Sequence, residues 1–436
     1  MALLEKIMKH SPDFILETLL RRSLQPPTQN SKDEIEMGVA TDPDDVLACY
    51  ELIYEVYQQS GLCEAEEENI RLTKHALLPT TSLIYYKING EVVATISIIC
   101  DNPFGFPLES LWSVNDLRSE GHRIAEISTL AIKKGYRRQR GIILLPFTAF
   151  LFQYAYEFLG VDYLVIAIHP RARIFYKAIF NFQPISKEVK SYNSVKNAPA
   201  FGMQVRLSSA NEFTRHIRKY KVGKGQGKRT IYDILFSKDY SSFKFPERRY
   251  YRAFDPSFKL NLLKKVFSRS IHSLKKLELW ERQLLCGIFF DKSFRPVFVT
   301  ENVIPFPKFT QRNHQRYPVY CPVKILSEDH RTSIDGRLLD ISSMGVQLFT
   351  PQQSLEANFK GSLHVKLSPH EEVVLEVQGR RLHNSRVGLE ILSINDSEKW
   401  QNFLDYLDET LNADSPQKPS SLSVSLDDLE KEKKRA

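Results

Sequence analysis

Cysteine is scarce in this 436-residue chain and is nowhere spaced for chemistry. The five residues, Cys49, Cys63, Cys100, Cys286 and Cys321, are odd in number, scattered, and form no CxxC pair. That excludes a disulfide framework and a zinc site, and points to a reducing cytoplasm with no metal cofactor. A secretory leader is not expected either. The opening residues, MALLEKIMKHSPDF, carry charge too early and offer no small-residue cleavage site. The most apolar long stretch, Ile142–Gly160, is interrupted by Pro146, Gln153 and Glu157, so a buried helix is expected there rather than a membrane span. Internal repeats are also lacking.

What is present is a globular balance, 42% hydrophobic and 26% charged, over a length that suits two or three domains. The net charge of +8 is unevenly placed. Between Asn211 and Arg282 nineteen Lys or Arg face seven Asp or Glu, a local net charge of +12. Such a region attracts an anionic surface such as a membrane, or is a solvated linker face. A cytoplasmic protein, peripheral at the inner membrane in the first case, follows, and no nucleic-acid partner is expected.

Residues 1–37 suggest a short amphipathic helix and a polar linker. From 38 to 208 helix and strand patterns are interspersed in an α+β plan. A helix is expected over Asp42–Gln59. Strands are expected over Leu83–Ile88 and Glu91–Ile99, joined by Asn89-Gly90, a dipeptide suited to a tight hairpin turn. Strands at Arg123–Ile132, Tyr163–Ile168 and Phe201–Leu207 and helices at Ile142–Leu159 and Ala172–Phe180 complete that region. Residues 209–305 suggest a basic, partly helical connector, with Leu260, Leu263, Val266, Phe267, Ile271 and Leu274 on one stripe of Arg252–Gly287. Short strands and a final helix near Glu398–Leu411 fill 306–411. The tail, 412–436, has the composition of a disordered segment.

Two clusters in the C-terminal part belong together. Arg312-Asn-His-Gln-Arg316 places two arginines four apart at the mouth of a strand, and Asp340-Ile-Ser-Ser-Met-Gly345 lies between two apolar strands. A forked guanidinium pairs with phosphate or with the O6/N7 edge of guanine, and it stacks on a base plane. Asp, Ser and Gly at a turn supply an acceptor, a hydroxyl and close backbone approach. Each motif alone is unremarkable; the pair in this order resembles the PilZ family over Thr310–Leu411, including the later Val387-Gly-Leu-Glu390. The resemblance implies a six-stranded β-barrel that binds cyclic di-GMP. Arg312 and Arg316 are then expected on guanine and phosphate, with Asp340, Ser342 and Gly345 opposite.

In the first domain Glu126 lies inside an apolar strand, Arg123-Ile-Ala-Glu-Ile-Ser128. Downstream, Tyr136-Arg-Arg-Gln-Arg-Gly141 opens a helix whose N–H groups, with Arg138, Arg140 and Gly141, suit a phosphate. With Asp101-Asn-Pro-Phe-Gly-Phe-Pro107, Leu117-Arg118, His169-Pro170, Phe175-Tyr176 and Asn197-Ala-Pro-Ala200, this resembles the GNAT acyltransferase fold over Val39–Leu207. The closer match is to the N-acyl amino acid synthases, relatives of the acyl-homoserine-lactone synthases. The resemblance implies transfer of a long acyl chain from an acyl-carrier-protein thioester to an amino acid amine. Glu126 is the candidate general base and a backbone N–H of its strand a candidate oxyanion donor. Arg118 or Arg123 is the candidate for the amino acid's carboxylate, with Ser128 as a further substrate contact, or either arginine is an ordinary surface residue. Tyr176 is either a proton donor to the leaving thiolate or a packing residue. The Phe and Leu residues around Ile142–Phe158 line an acyl tunnel or form core.

Two departures separate it from its relatives. Ile143 replaces the second small residue typical of acetyl-CoA users, which favours a carrier-protein donor. The first tryptophan is Trp112, which argues against S-adenosylmethionine as acceptor. The competing class is a non-catalytic cyclic di-GMP effector whose first domain only binds an acyl carrier or partner protein.

Overall fold

The computed structural model describes residues 13–25, then 33–250 apart from 66–68, 103, 121, 138–140, 208–211, 238–240 and 248. Between there and 314 it describes only 262, 277, 278, 280–282 and 285. From 314 to 412 it omits 320, 329–332, 350–354, 356–358, 369 and 384–385. The tail at 413–436 and the apolar stripe expected on Arg252–Gly287 therefore lie largely outside the described residues, although Leu262, Trp280–Arg282 and Leu285 are helical.

The first domain is a nine-stranded sheet with helices on its faces. Helix α1 (Asp13–Ser23) precedes strand β1 (Ile35–Val39), which begins inside the segment expected to be linker. Helix α2 (Pro43–Gln59) starts as its sequence dictates: the Asp42 side chain accepts from the Asp44 N–H, Pro43 occupies the first turn, and Asp44 and Asp45 add negative charge there. Its inner face buries Val46, Cys49, Tyr50, Ile53 and Val56 at helical spacing.

Strands β2 (Thr81–Ile88) and β3 (Glu91–Cys100) form the expected hairpin, with Asn89 and Gly90 at φ of 51° and 80°. The short helix α3 (Asn115–Ser119), β4 (Ile124–Ile132), α4 (Leu144–Gln153), β5 (Tyr163–Ile168) and α5 (Arg173–Phe180) follow. Next come β6 (Gln183–Pro184), β7 (Lys190–Tyr192) and β8 (Ala198–Arg206). Helix α4 is shorter than expected, and its continuation, Tyr154–Phe158, is a π turn.

The basic stretch corrects its expected role as connector. Helix α6 (Glu212–Lys219), β9 (Lys221–Val222), β10 (Arg229–Thr230), α7 (Ile231–Leu235) and β11 (Phe243–Lys244) fold back onto the first domain. Phe213, Ile217, Ile231 and Ile234 enter its core, and β11 pairs in parallel with β1. The physical reason is a narrow apolar stripe on an otherwise charged helix, which anchors it while the lysines and arginines stay in water. Phe245 stacks on Phe150 at 4.7 Å, whereas Tyr250, five residues on, meets Phe403 of the second domain at 4.9 Å.

Among its described residues the second domain holds the six strands expected and one short addition: β12 (Tyr317–Pro318), β13 (Pro322–Ser327), β14 (Ser333–Ser342), β15 (Gly345–Phe349), β16 (Lys360–Lys366), β17 (Glu372–His383) and β18 (Arg386–Ile394). The pairings β14–β13–β16–β17–β18–β15 return to β14, and the two-residue β12 is added beside β14. Helix α8 (Ser397–Asn412) buries Trp400, Phe403, Leu404 and Leu407 against this sheet. Among the described residues no helix is long and apolar enough to cross a membrane.

Candidate functional site

Strands β4 and β5 run parallel and pair from Ile124–Tyr163 to Ile127–Ile166; beyond that the ladder ends although both strands continue. On its other edge β4 carries a bulge, where Thr129 and Leu130 face Ile96 alone. Thr129 has φ of 53°, an uncommon region for a β-branched residue, and its hydroxyl lies 2.7 Å from that of Ser97. Ser128–Leu130 and Ala167–Ile168, beside the parted strands and the bulge, line a cavity of about 780 Å³. Bulges of this kind recur beside active sites.

Glu126 lines this cavity from the centre of β4, between Ile99 and Val165. It is 1% exposed, and its Oε2 accepts from the Leu108 N–H at 2.9 Å. Burial pushes its pKa up to about 8, opposed by the Leu108 bond and helped by the Glu109 carboxylate. A carboxyl group that changes protonation near neutral pH is suited to take and return a proton. Ser128 and Tyr176 line the same cavity. Burial raises the Tyr176 phenol to about 12, so it keeps its proton at neutral pH and is a hydrogen-bond donor. It also packs between Phe175 and Phe182.

The arginines named from sequence are placed elsewhere. Arg118 forks onto Asp101 at 2.9 and 3.0 Å and onto Glu109 at 2.5 and 2.6 Å. Glu109 in turn accepts from Phe106 N–H at 2.7 Å, closing the turn that presents Leu108 to Glu126. Arg118 therefore holds the loop behind the carboxylate. Arg123 pairs with Asp162 at the opposite end of β4. Gly141 has φ of 91°, and a Cβ there would come 3.1 Å from Leu24 and 3.2 Å from Leu145, so the loop before α4 needs glycine. Arg138 and Arg140 lie outside the described residues.

The cavity is also lined by residues the sequence did not single out: Tyr57, Arg71, His75 and Tyr192. Burial, aided by the Lys74 cation, lowers His75 to about 4, and its Nε2 contacts the Gly105 carbonyl at 3.0 Å. His75 is thus a neutral donor at physiological pH. No local pattern marks these positions, because they meet only through contacts distant in sequence.

In the second domain β12 pairs Tyr317 with Ile341 and Pro318 with Asp340. That register delivers Arg316 to the DxSxxG turn, where its guanidinium ion-pairs with Asp340. The Ser342 hydroxyl donates to the Gly345 carbonyl at 3.1 Å, and His314 Nδ1 meets the Ser343 hydroxyl at 2.8 Å. A Cβ on Gly345 would lie 3.1 Å from the Leu389 carbonyl oxygen, so the turn is packed against β18. Arg316, Asp340, Ser342 and Gly345 are thereby brought together, and Arg312 lies outside the described residues.

Residues 48–206 match the family model of the N-acyl amino acid synthase FeeM, and residues 310–408 match the PilZ domain. Solved structures similar to the chain include FeeM, an N-acyl amino acid synthase from uncultured soil microbes. It is 23% identical over 42% of this chain and 96% of that one, with a TM-score of 0.37. The acyl-homoserine-lactone synthase LasI is 16% identical over 41% and 92%, with a TM-score of 0.32. The PilZ domain of CeSA from a cellulose-synthesizing bacterium is 19% identical over 22% and 95%, at 0.19. No curated protein matches the chain significantly. The chain thus joins a domain that matches the N-acyl amino acid synthase FeeM model, over residues 48–206, to a C-terminal PilZ domain.

Proposed function

We propose that the first domain transfers a long acyl chain from an acyl-carrier-protein thioester to the amine of an amino acid, under the control of cyclic di-GMP bound to the second. The observation that carries the catalytic half is the buried Glu126, with a pKa of about 8, on the wall of the cavity where β4 and β5 part. In this reading the amine nitrogen attacks the thioester carbonyl and Glu126 takes the proton that the nitrogen must lose. The C–S bond then breaks, and the thiolate recovers that proton from Glu126 while Tyr176 donates a hydrogen bond to the sulfur. An amide and a free thiol result, and the carboxylate is restored. The apolar walls, Ile127, Leu130, Ile166 and Ile168 among them, suit an acyl chain.

The regulatory half rests on the gathering of Arg316, Asp340, Ser342 and Gly345 at one turn. Arg316 and Arg312 are assigned to phosphate and guanine, and the ligand draws Arg316 from Asp340. The test is direct. Purified protein is incubated with an acyl-carrier-protein thioester and mixed amino acids, and the products are identified by mass spectrometry. N-acyl amino acids absent from the Glu126→Gln reaction support the reading; free fatty acid alone, or no product, removes it.

A further inference from the structure

We propose that Arg71 is the seat of the acceptor's carboxylate, so that the cavity selects α-amino acids over other amines; this rests on the acyltransferase reading of that cavity. Four cationic or imidazole side chains, Arg71, Lys74, His75 and His169, line it. Lys74 is engaged by Glu281 at 2.6 Å, and His75 is held neutral. His169 uses Nδ1 to accept from the Arg171 N–H at 3.2 Å. Arg71 differs: its Nη2 donates to the Ser194 carbonyl at 2.7 Å, while its buried Nε has no partner among the described residues. No carboxylate of the described residues forms an ion pair with it. Arg71 lines the cavity, and a fixed guanidinium with no carboxylate of its own is a receptor for a forked anion, of which carboxylate is the one that fits.

Its position is fixed by more than one contact. The guanidinium lies over the Tyr57 ring at 5.0 Å. The Arg71 loop and the loop before β8 are joined a second time by Lys196 and Glu64 at 2.7 Å. Arg71 and Glu126 also line the same cavity and act on the same two phenols. Burial raises the phenols of Tyr57 and Tyr192, the Glu126 carboxylate raises them further, and Arg71 lowers both. An α-amino acid bears its carboxylate and its nucleophilic amine on one carbon. Held by the first at Arg71, it presents the second on the side of the general base. Arg118 and Arg123, spent on Asp101, Glu109 and Asp162, leave this role open.

The experiment uses the full chain and measures binding of the proteinogenic L-amino acids and of their C-terminal amides by saturation-transfer NMR, alongside product analysis with an acyl-carrier-protein thioester. The amides keep the amine and lose the charge. Wild type should bind the preferred acid about 10- to 100-fold more tightly than its amide, the scale of losing charged hydrogen bonds. Arg71→Gln and Arg71→Met should each abolish that preference at an unchanged melting temperature. Equal binding of acid and amide by wild type, or no binding of either, overturns the clamp without recourse to a variant. So does a folded variant that keeps the preference. If the acid is preferred through Arg71 but no N-acyl product forms, the clamp stands and the acyltransfer reading falls.

Discussion

Glu126 and Asp340 are both carboxylates set in strands and almost wholly buried, 1% and 8% exposed, yet their surroundings make opposite use of the charge. Asp340 is matched by the Arg316 guanidinium across β12 and β14. Glu126 receives one backbone N–H and, nearby, a second carboxylate, Glu109. A buried charge with a cation stays ionised and holds geometry; one without a cation is driven toward its neutral form. The first domain thus keeps a proton in play at neutral pH, and the second keeps a paired arginine that an anion can claim. On the proposed reading, the chemical site and the receptor site differ by which buried carboxylate has been given a cation.

The largest effect expected from breaking this contrast is at Glu126. Glu126→Gln keeps shape and the Leu108 contact but removes the base, so the transfer rate should fall about 10²-fold or more. Wild-type transfer should rise with pH through about 8, and the variant should lack that inflection. Stability should show the linkage with a definite sign. The Glu126 pKa is higher folded than unfolded, so its contribution is fully present below the ordinary value of 4.5 and is lost as pH rises through about 8. The melting temperature of Glu126→Gln relative to wild type should therefore climb between pH 5 and pH 9. A difference that is flat with pH would mean the carboxyl does not titrate in that range.

Next in size is the receptor. Arg316→Ala removes one partner of the ligand and strands Asp340, so cyclic di-GMP binding should weaken by at least ~1.5 kcal/mol, about tenfold. Calorimetry on the full chain checks this, and undiminished heat would move the ligand elsewhere.

A smaller effect sharpens the electrostatic part. Arg118→Lys supplies one point charge where a fork now serves Asp101 and Glu109. The transfer rate should fall by about tenfold or less, since the base survives. The less neutralised Glu109 should also push the pH inflection of transfer upward. A loss of rate with an unmoved inflection would make Arg118 a support for the loop and nothing more.

How much of this was legible in the sequence follows from how local each cause is. The α2 start is written in Asp42-Pro43, the hairpin in Asn89-Gly90, and the ligand turn in Asp340–Gly345; each is decided within six residues. Glu126 was legible because a carboxylate in an apolar strand is conspicuous. Arg71 was not, because its meaning comes from Ser194, 123 positions away. The same holds for β11, whose partner β1 lies some two hundred residues earlier, and for α6, whose charge masked its two anchoring side chains. Arg118 and Arg123 were expected at the amino acid's carboxylate, and only their partners, Asp101, Glu109 and Asp162, show where their charge is used.

The smallest expected effect concerns the joint between the two sites. Trp280 packs edge-on against Phe104 at 5.5 Å and Glu281 pairs with Lys74 at 2.6 Å, and both Phe104 and Lys74 line the cavity that also holds Glu126. Tyr317, next to Arg316, packs against the cluster that also buries Leu262, Leu277 and Leu285. A ligand alters transfer only if it binds one arrangement of these parts better than another. Engagement of Arg316 is the event that can displace Tyr317 and, through that shared cluster, the Trp280–Glu281 contact. Coupling through so few contacts should be at the low end of the usual range, about fivefold. Transfer is compared with and without saturating cyclic di-GMP in wild type, Arg312→Ala and Glu281→Gln. Wild type should respond, Arg312→Ala should not, and Glu281→Gln should show a changed basal rate with a reduced response. A wild-type rate indifferent to the nucleotide, in protein that calorimetry shows to be saturated, would leave two independent domains on one chain.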